Sequence, residues 1–144
     1  MKMNIRQAVP GDEKSVVRLI HELAETSGED SPLIEDYIAA YWRSPGSRIL
    51  LAEIDGQPAG LLSYSIRPDL YHAGDSAYIE NLVVSSGHRG AGIGSALLKA
   101  ALAEIEAAGC AEVSIATLPE NEGAQRLYKS LGLVDEAVYL EKHF

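Results

Sequence analysis

The run Arg89-Gly90-Ala91-Gly92-Ile93-Gly94 is the part of this 144-residue chain best equipped for chemistry. Glycines so closely spaced let a main chain turn tightly and come close to a ligand. The Ala- and Leu-rich stretch that follows reads as a helix, so the run ends at a helix N-terminus. Unpaired N–H groups and the helix dipole there favour an anion, and a phosphate-binding loop is expected. Two common phosphate loops fail on spacing. A dinucleotide fingerprint needs G-x-G-x-x-G, but Gly90, Gly92 and Gly94 are spaced by two, and neither Ala96 nor Leu97 supplies the missing glycine. A nucleoside-triphosphate loop needs G-x-x-x-x-G-K-[ST]; Gly87 and Gly92 have the separation, but Ile93 stands in place of Lys.

Two further constellations accompany the loop. Glu80 is a lone carboxylate in the apolar run Tyr78 to Val84, and period-two alternation puts it on one face with Tyr78, Leu82 and Val84. Asn121 and Tyr128 are seven residues apart, two helical turns, and so share one side of a helix. The histidines, at 21, 72, 88 and 143, have no paired ligand spacing, so no metal is expected; His21 has no evident partner. Cys110 is the only cysteine. It follows Gly109 with no catalytic signature around it and reads as a small filler at a turn into a strand.

The elements that must position these residues follow from periodicity and punctuation. Asn4 to Val9 reads as a strand, and Pro10-Gly11-Asp12 ends it, with Asp12 as the N-cap of a helix carrying Val16, Val17, Leu19, Ile20 and Leu23. After a polar loop, Thr26 to Pro32, a second helix is expected over Leu33 to Trp42. Ser47 to Ile54 and Pro58 to Ile66 form a hairpin about Asp55-Gly56. A loop over Pro68 to Asp75 leads to the strand Tyr78 to Val84, the glycine loop Ser85 to Gly94, and a helix Ile93 to Ala107 closed by Gly109. Val113, Ile115 and Thr117 alternate as a strand. Asn121 to Ser130 reads as a helix closed by Gly132, and Leu133 to Leu140 as a last strand. The expected fold is α/β of the α+β type: one domain over 1–144, with a mixed, mostly antiparallel central sheet flanked by helices on both faces.

Composition sets limits. Apolar residues make up 47% and charged residues 23%, an ordinary soluble globular mix. No apolar run approaches the roughly 20 residues that span a bilayer. The N-terminus lacks the apolar core of a secretion signal, and a single cysteine fits a reducing compartment, so a cytoplasmic location is expected with no membrane partner. The formal charge of −9 argues against nucleic acid and mildly favours cationic ligands, though solubility alone accounts for it equally well.

The glycine loop resembles the pyrophosphate loop [QR]-x-x-G-x-[GA] of the GCN5-related N-acetyltransferase (GNAT) family, matched by Arg89, Gly92 and Gly94. The preceding run, Tyr78 to Val84, is similar to that family's central strand. Asn121, Ala124, Tyr128, Gly132 and Leu133 resemble its pattern N-x-x-A-x-x-x-Y-x-x-x-G-F, with Leu133 in place of Phe. The resemblance is sharp from Tyr78 to Leu133; over Met1 to Ile66 it rests on element order.

The resemblance implies an acetyl-CoA-dependent N-acetyltransferase acting on an amine by direct attack. Main-chain N–H groups of Arg89, Gly90, Ala91, Gly92, Ile93, Gly94 and Ser95 would hold the CoA pyrophosphate. Leu82, Val83 and Val84 would offer main-chain groups to the pantetheine arm, with the Leu82 N–H polarising the thioester carbonyl. Asn121 and Tyr128 would lie against the arm, and Tyr128 O–H would protonate the leaving thiolate. Glu80 would take the amine's proton through a water; the alternative is a Glu at a solvent edge or paired with an Arg. Tyr128 could instead be a packed Tyr, and Tyr37, Tyr41 and Trp42 are either an acceptor wall or core. Tyr71 and His72 line the amine pocket or lie in a surface loop, and His88 touches the cofactor or only decorates the loop. An acyl-CoA sensor without turnover, or a transferase using another acyl donor, are the rival readings. Relatives often dimerise, so a homodimer is possible.

Overall fold

The computed structural model describes residues 2–144. Its elements in chain order are β1 (Met3–Gln7), α1 (Glu13–Thr26), α2 (Glu35–Arg43), β2 (Ser47–Ile54), β3 (Gln57–Asp69), β4 (Gly74–Val84), a 3-10 turn (Ser86–His88), α3 (Ile93–Ala107), β5 (Glu112–Ile115) and α4 (Glu122–Ser130). The strands form one sheet in the order β1-β2-β3-β4-β5. Neighbours are antiparallel except β4 and β5, which are parallel and joined through α3.

The sheet is covered on both faces, which is why Ile49 to Ala52 reads as an unbroken apolar run. Leu50, Ala52 and Ile54 of β2 turn to α3, where Leu97, Leu98, Ala101 and Ile105 bury with them. Ile49 and Leu51 turn the other way, to Val16 and Leu19 of α1 and Ile38 of α2. Leu19, Leu51, Leu61, Leu62, Leu97 and Leu98 are fully buried. Each contributes roughly 1.5–3 kcal/mol relative to exposure, and Leu97→Ala would cost about 2–5 kcal/mol by leaving a cavity above β3.

The mixed, mostly antiparallel sheet with helices on both faces is as expected from the sequence. Four local expectations are corrected. The loop over Pro68 to Asp75 shrinks to a short tip, because β3 and β4 continue as a two-stranded ribbon to the pair Asp69 and Gly74. Beyond Ser65, β3 has no neighbour in β2, so Pro68, which lacks an N–H, sits at a free edge where none is needed. Asp12 stands at the N-cap of α1, but its carboxylate accepts from Arg6 at 2.8 Å and the Val9 N–H at 2.8 Å instead of capping. His21 is partnered after all, its Nε2 lying 2.9 Å from the Leu33 carbonyl.

The last correction is the strand expected over Leu133 to Leu140. The chain after α4 forms no ladder, and Val134, Val138, Tyr139 and Leu140 are exposed. Alternating apolar residues are strand-like only against a surface that takes them. Among the described residues no sheet edge does.

Candidate active site

β4 carries the site, and its geometry turns on one residue. Ser63 of β3 pairs with Asn81 and Tyr64 pairs with Ile79, so Glu80 has no partner and forms a β-bulge. The bulge reverses which face each residue meets. Before it, Ala77 and Ile79 face α3; after it, Leu82 and Val84 do, while Val83 is buried towards α1 and α2. Strict alternation placed Glu80 with Leu82 and Val84, and the extra residue overturns that. Glu80 instead is an electrostatic neighbour of Tyr41 on α2, on the opposite side of the sheet.

The same strand has an open edge. β5 pairs with β4 only from Ser76 opposite Glu112 to Ile79 opposite Ile115. Past that point, among the described residues, no strand lies beside Glu80 to Val84 on this side. The Ser85 N–H donates to Ala59 O at 2.8 Å, which fixes the phase of the antiparallel ladder. Alternation then turns the main chain of Val83 towards β3 and those of Leu82 and Val84 towards the open edge. The Val84 carbonyl accepts from Arg89 Nε at 3.3 Å. Of the three residues expected to offer main-chain groups, Leu82 can, Val84 can through its N–H, and Val83 is engaged in the sheet.

At the end of this edge the chain enters the glycine loop. Gly90 and Gly92 have φ of +85° and +79°, and an added Cβ at either would meet open space. Gly92 is the N-cap of α3 and supplies no side-chain cap. Among the described residues, the amides of Arg89 to Ser95 find no protein acceptor; the first bond of the helix runs from the Ala96 N–H to Gly92 O at 3.0 Å. The result is an open row of donors at the positive end of a 15-residue helix. Ile93 anchors the row from below, buried with its side chain in the core. Gly60 lets it sit low: a Cβ there would lie 2.8 Å from Ile93 Cγ2 and 3.1 Å from Leu97 Cδ1.

The two remaining motif residues lie on α4. Asn121 is its N-cap, and its Oδ1 accepts from the Ala124 N–H at 3.3 Å. The helix therefore starts one residue later than expected, and one role of Asn121 is local capping. Tyr128 packs against the cluster that Leu82 and Val84 join, on the α3 face, and burial raises its hydroxyl pKa. The open edge of β4 thus runs between Tyr128 on one face and Glu80 on the other.

On the Glu80 side a cavity of about 160 Å³ opens between α1, α2 and the sheet. Val16, Ile20, Tyr37 and Tyr41 wall it, and Asn81 Nδ2 donates to Ser63 Oγ at 2.7 Å on its floor. A larger hollow, about 320 Å³, is lined by β1, α2 and β2 residues including Tyr41 and Trp42, with no residue of β4. Glu80 is reachable from solvent yet partly walled in, and that burial raises its carboxyl pKa. The Tyr41 hydroxyl is raised first by burial and then by the Glu80 charge. Tyr78 is pushed up to about 12, by burial and then by Tyr139, with a smaller part from Glu80.

Other candidates lie elsewhere. Tyr71 is exposed at the β3–β4 tip. His72 beside it has Nδ1 2.8 Å from Asp69 and Nε2 3.5 Å from Glu112, at the end of β4 away from the glycine loop. Asp69, His72 and Glu112 bring ligand-type atoms within 4.8 Å of one another, but Asp69 also accepts from Ser76 Oγ at 2.7 Å and the Tyr71 N–H at 3.0 Å, which makes this an ion-pair network. His88 has a buried Nδ1 with no hydrogen-bond partner, directly before Arg89. Cys110 packs against the core and burial pushes its thiol up, the opposite of an activated nucleophile. No motif announces Gly60, the Ser63–Asn81 pair or Glu22 on α1, which reaches the loop. A buried serine in a strand and a glutamate on a helix carry no local signal of such contacts.

A family model described as the Acetyltransferase (GNAT) family matches residues 16–133. The thialysine N-epsilon-acetyltransferase of Bos taurus is 33% identical over 142 residues, spanning 91% of this chain and 84% of that protein. The aminoalkylphosphonate N-acetyltransferase of Salmonella typhimurium is 32% identical over 140 residues, spanning 97% and 86%. Among solved structures, a putative acetyltransferase from Agrobacterium tumefaciens superimposes with a TM-score of 0.87 at 26% identity, covering 98% of this chain and 99% of that one. The chain belongs to the GNAT acetyltransferase family and is an acyltransferase. Its named relatives are N-acetyltransferases of amines.

Proposed function

We propose that this chain, as one domain over 1–144, transfers the acetyl group of acetyl-CoA to a primary amine of a small cationic molecule. The observation that carries this is the run from the open β4 edge at Leu82 to the uncapped amides at Arg89 to Ser95, with free main-chain groups at both of its ends. A diphosphate on an extended, amide-bearing arm fits that run; a free phosphate would leave the β4 edge unused. Acetyl-CoA, when bound, supplies an acyl group on a thiol leaving group.

The residues divide the work by face. Glu80, with its raised pKa, holds the ammonium and takes its proton through a water, since an alkylammonium near pKa 10 cannot attack. The freed nitrogen bonds to the acyl carbon as the carbon–sulfur bond breaks. The Leu82 N–H donates to the acyl oxygen as negative charge grows on it, an effect often worth roughly 3 kcal/mol. Tyr128, across the edge, gives its proton to the departing sulfur. Its raised pKa keeps that proton in place at neutral pH until thiolate appears. The nitrogen's second proton, lost as the amide forms, restores the Tyr128 hydroxyl through solvent, and the products are an N-acetyl amine and free CoA.

The acceptor side supports a small cation. Glu80 supplies charge beside Tyr41, which with Tyr37 lines a cavity of about 160 Å³. The similarity to enzymes named for thialysine and aminoalkylphosphonate is consistent with that size. No helix among the described residues is long and apolar enough to cross a membrane, and the unpaired Cys110 suits the cytoplasmic setting this reading adopts. The test is release of CoA thiol from acetyl-CoA with a panel of small amines. Turnover with one or more is expected; acetyl-CoA binding without turnover across the panel would favour a sensor, and turnover only with a longer acyl-CoA would replace the donor.

A further inference from the structure

We infer that Glu22 on α1 is a positioning residue for the phosphate-binding loop, and that the Arg18–Glu22 pair latches α1 to both strands at one end of the β3–β4 ladder. The inference rests on the reading of that loop as the CoA site.

The contacts are these. Both Glu22 carboxylate oxygens lie 3.2 Å from Ser85 Oγ, which donates to them, and Oε1 also accepts from the Ser86 N–H at 3.3 Å. Ser85 and Ser86 are the last residue before the 3-10 turn and its first, the point where β4 leaves the sheet for the loop. Arg18, one helical turn earlier, donates to Glu22 Oε2 at 3.0 Å and to the Pro58 carbonyl at 2.8 Å. Pro58 and Ala59 belong to β3, and Ala59 O takes the Ser85 N–H. One ion pair therefore holds the start of β3 and the exit of β4 to the same helix.

The charge makes the arrangement informative. A carboxylate at the mouth of a phosphate loop opposes the ligand, so it needs a compensating use. Here Arg18 offsets its charge and its oxygens are taken by loop donors. Glu22 is only 22% exposed in its side chain, so the contact is sheltered. Its consequence is positional. The amides of Arg89 to Ser95 sit on a segment whose far end is fixed by α3 and whose near end, by these contacts, is fixed by Glu22. A preorganised row of donors binds without spending affinity on ordering the loop.

The test compares Glu22→Ala and Glu22→Gln with the unaltered protein by three measurements. Amide hydrogen exchange without ligand should quicken over residues 86–95 in Glu22→Ala and be largely restored in Glu22→Gln, which keeps an acceptor. The CoA dissociation constant should rise about tenfold in Glu22→Ala, the scale of one lost hydrogen bond to a charged group, and recover in Glu22→Gln. KM for acetyl-CoA should rise far more than kcat falls, with melting temperature little changed. Unchanged exchange over 86–95 in Glu22→Ala overturns the latch whatever CoA does. Faster exchange with unchanged CoA affinity overturns its role in positioning. Failure of the unaltered protein to bind CoA would instead remove the reading of the loop, and with it this role, while the exchange result stood on its own.

Discussion

The two sides of the β4 edge differ in kind. On the α3 side, the proposed recognition of CoA would be built from main chain: the Leu82 and Val84 edge and the amides of Arg89 to Ser95, with Tyr128 the one side chain asked to do chemistry. On the α1–α2 side the proposed recognition of the amine would be built from side chains: Tyr37, Tyr41 and the Ser63–Asn81 pair around the cavity, and Glu80 beside Tyr41. Main-chain recognition needs a fixed backbone path, which demands glycines at set positions. Side-chain recognition needs only some residue of suitable chemistry near the right place. That contrast predicts that substitutions on the first side damage binding of the shared carrier, and those on the second alter which amine is used.

The largest effect should come from Gly92→Asp. Gly92 has φ of +79°, which Asp tolerates better than most residues, and an added Cβ meets nothing, so the helix should survive. The new carboxylate would lie among amides meant for a diphosphate. Like charges placed together cost several kcal/mol, so CoA affinity should fall by about 100-fold or more in a calorimetric titration, with circular dichroism unchanged. Undiminished affinity would break the main-chain half of the contrast. Tyr128→Phe comes next: kcat should fall by about 100-fold at saturating substrates while CoA affinity stays within about twofold. Equal kcat would leave Tyr128 as a packing residue.

How much of this was legible in the sequence follows the same divide. The loop could be read because the family motif it resembles requires particular residue types, here Arg89, Gly92 and Gly94, at fixed spacing. Both of its neighbours, β4 and α3, were read to within a few residues for the same reason. The bulge could not be read. Glu80 fits equally an alternating strand and an extra residue in one, and only the register with Ser63 and Tyr64 decides. The failed strand over Leu133 to Leu140 has a similar cause, since its apolar alternation is genuine but a strand also needs a partner edge. Glu22 and Gly60 act across more than 30 residues of chain, and nothing local marks them.

Glu80→Gln sharpens the contrast through pH. The folded protein raises the carboxyl pKa of Glu80 by burial, so the proton is held more tightly folded than unfolded. Above both pKa values the ionised group therefore weighs against the fold, and stability from this residue is lost as pH rises through its folded pKa. A base must be ionised, so kcat/KM for the amine should rise with pH through that same raised value. Glu80→Gln should lower kcat/KM about tenfold near neutral pH and erase this acid limb, without lowering the melting temperature, since the exposed carboxylate's burial penalty is screened by solvent. A retained acid limb would assign the proton to another group. A lowered melting temperature would mean that Glu80 is held by contacts rather than penalised by burial.

The smallest effect separates the sides most cleanly. Tyr37 is 61% exposed, in the first turn of α2, and lines the cavity, whose lining includes no residue of the glycine loop. An exposed aromatic contributes to a cation about 0.5–1 kcal/mol, so Tyr37→Ala should raise KM for the amine about threefold. CoA affinity and kcat at saturating amine should not move, because no group that meets the thioester changes. The fold should tolerate the change, since Ile38 carries the buried contact of α2. A shift in amine KM alone would locate selectivity in the side-chain wall. A parallel shift in CoA affinity would mean that α2 and the loop respond as one body, and the two sides of β4 would then have to be treated as a single site.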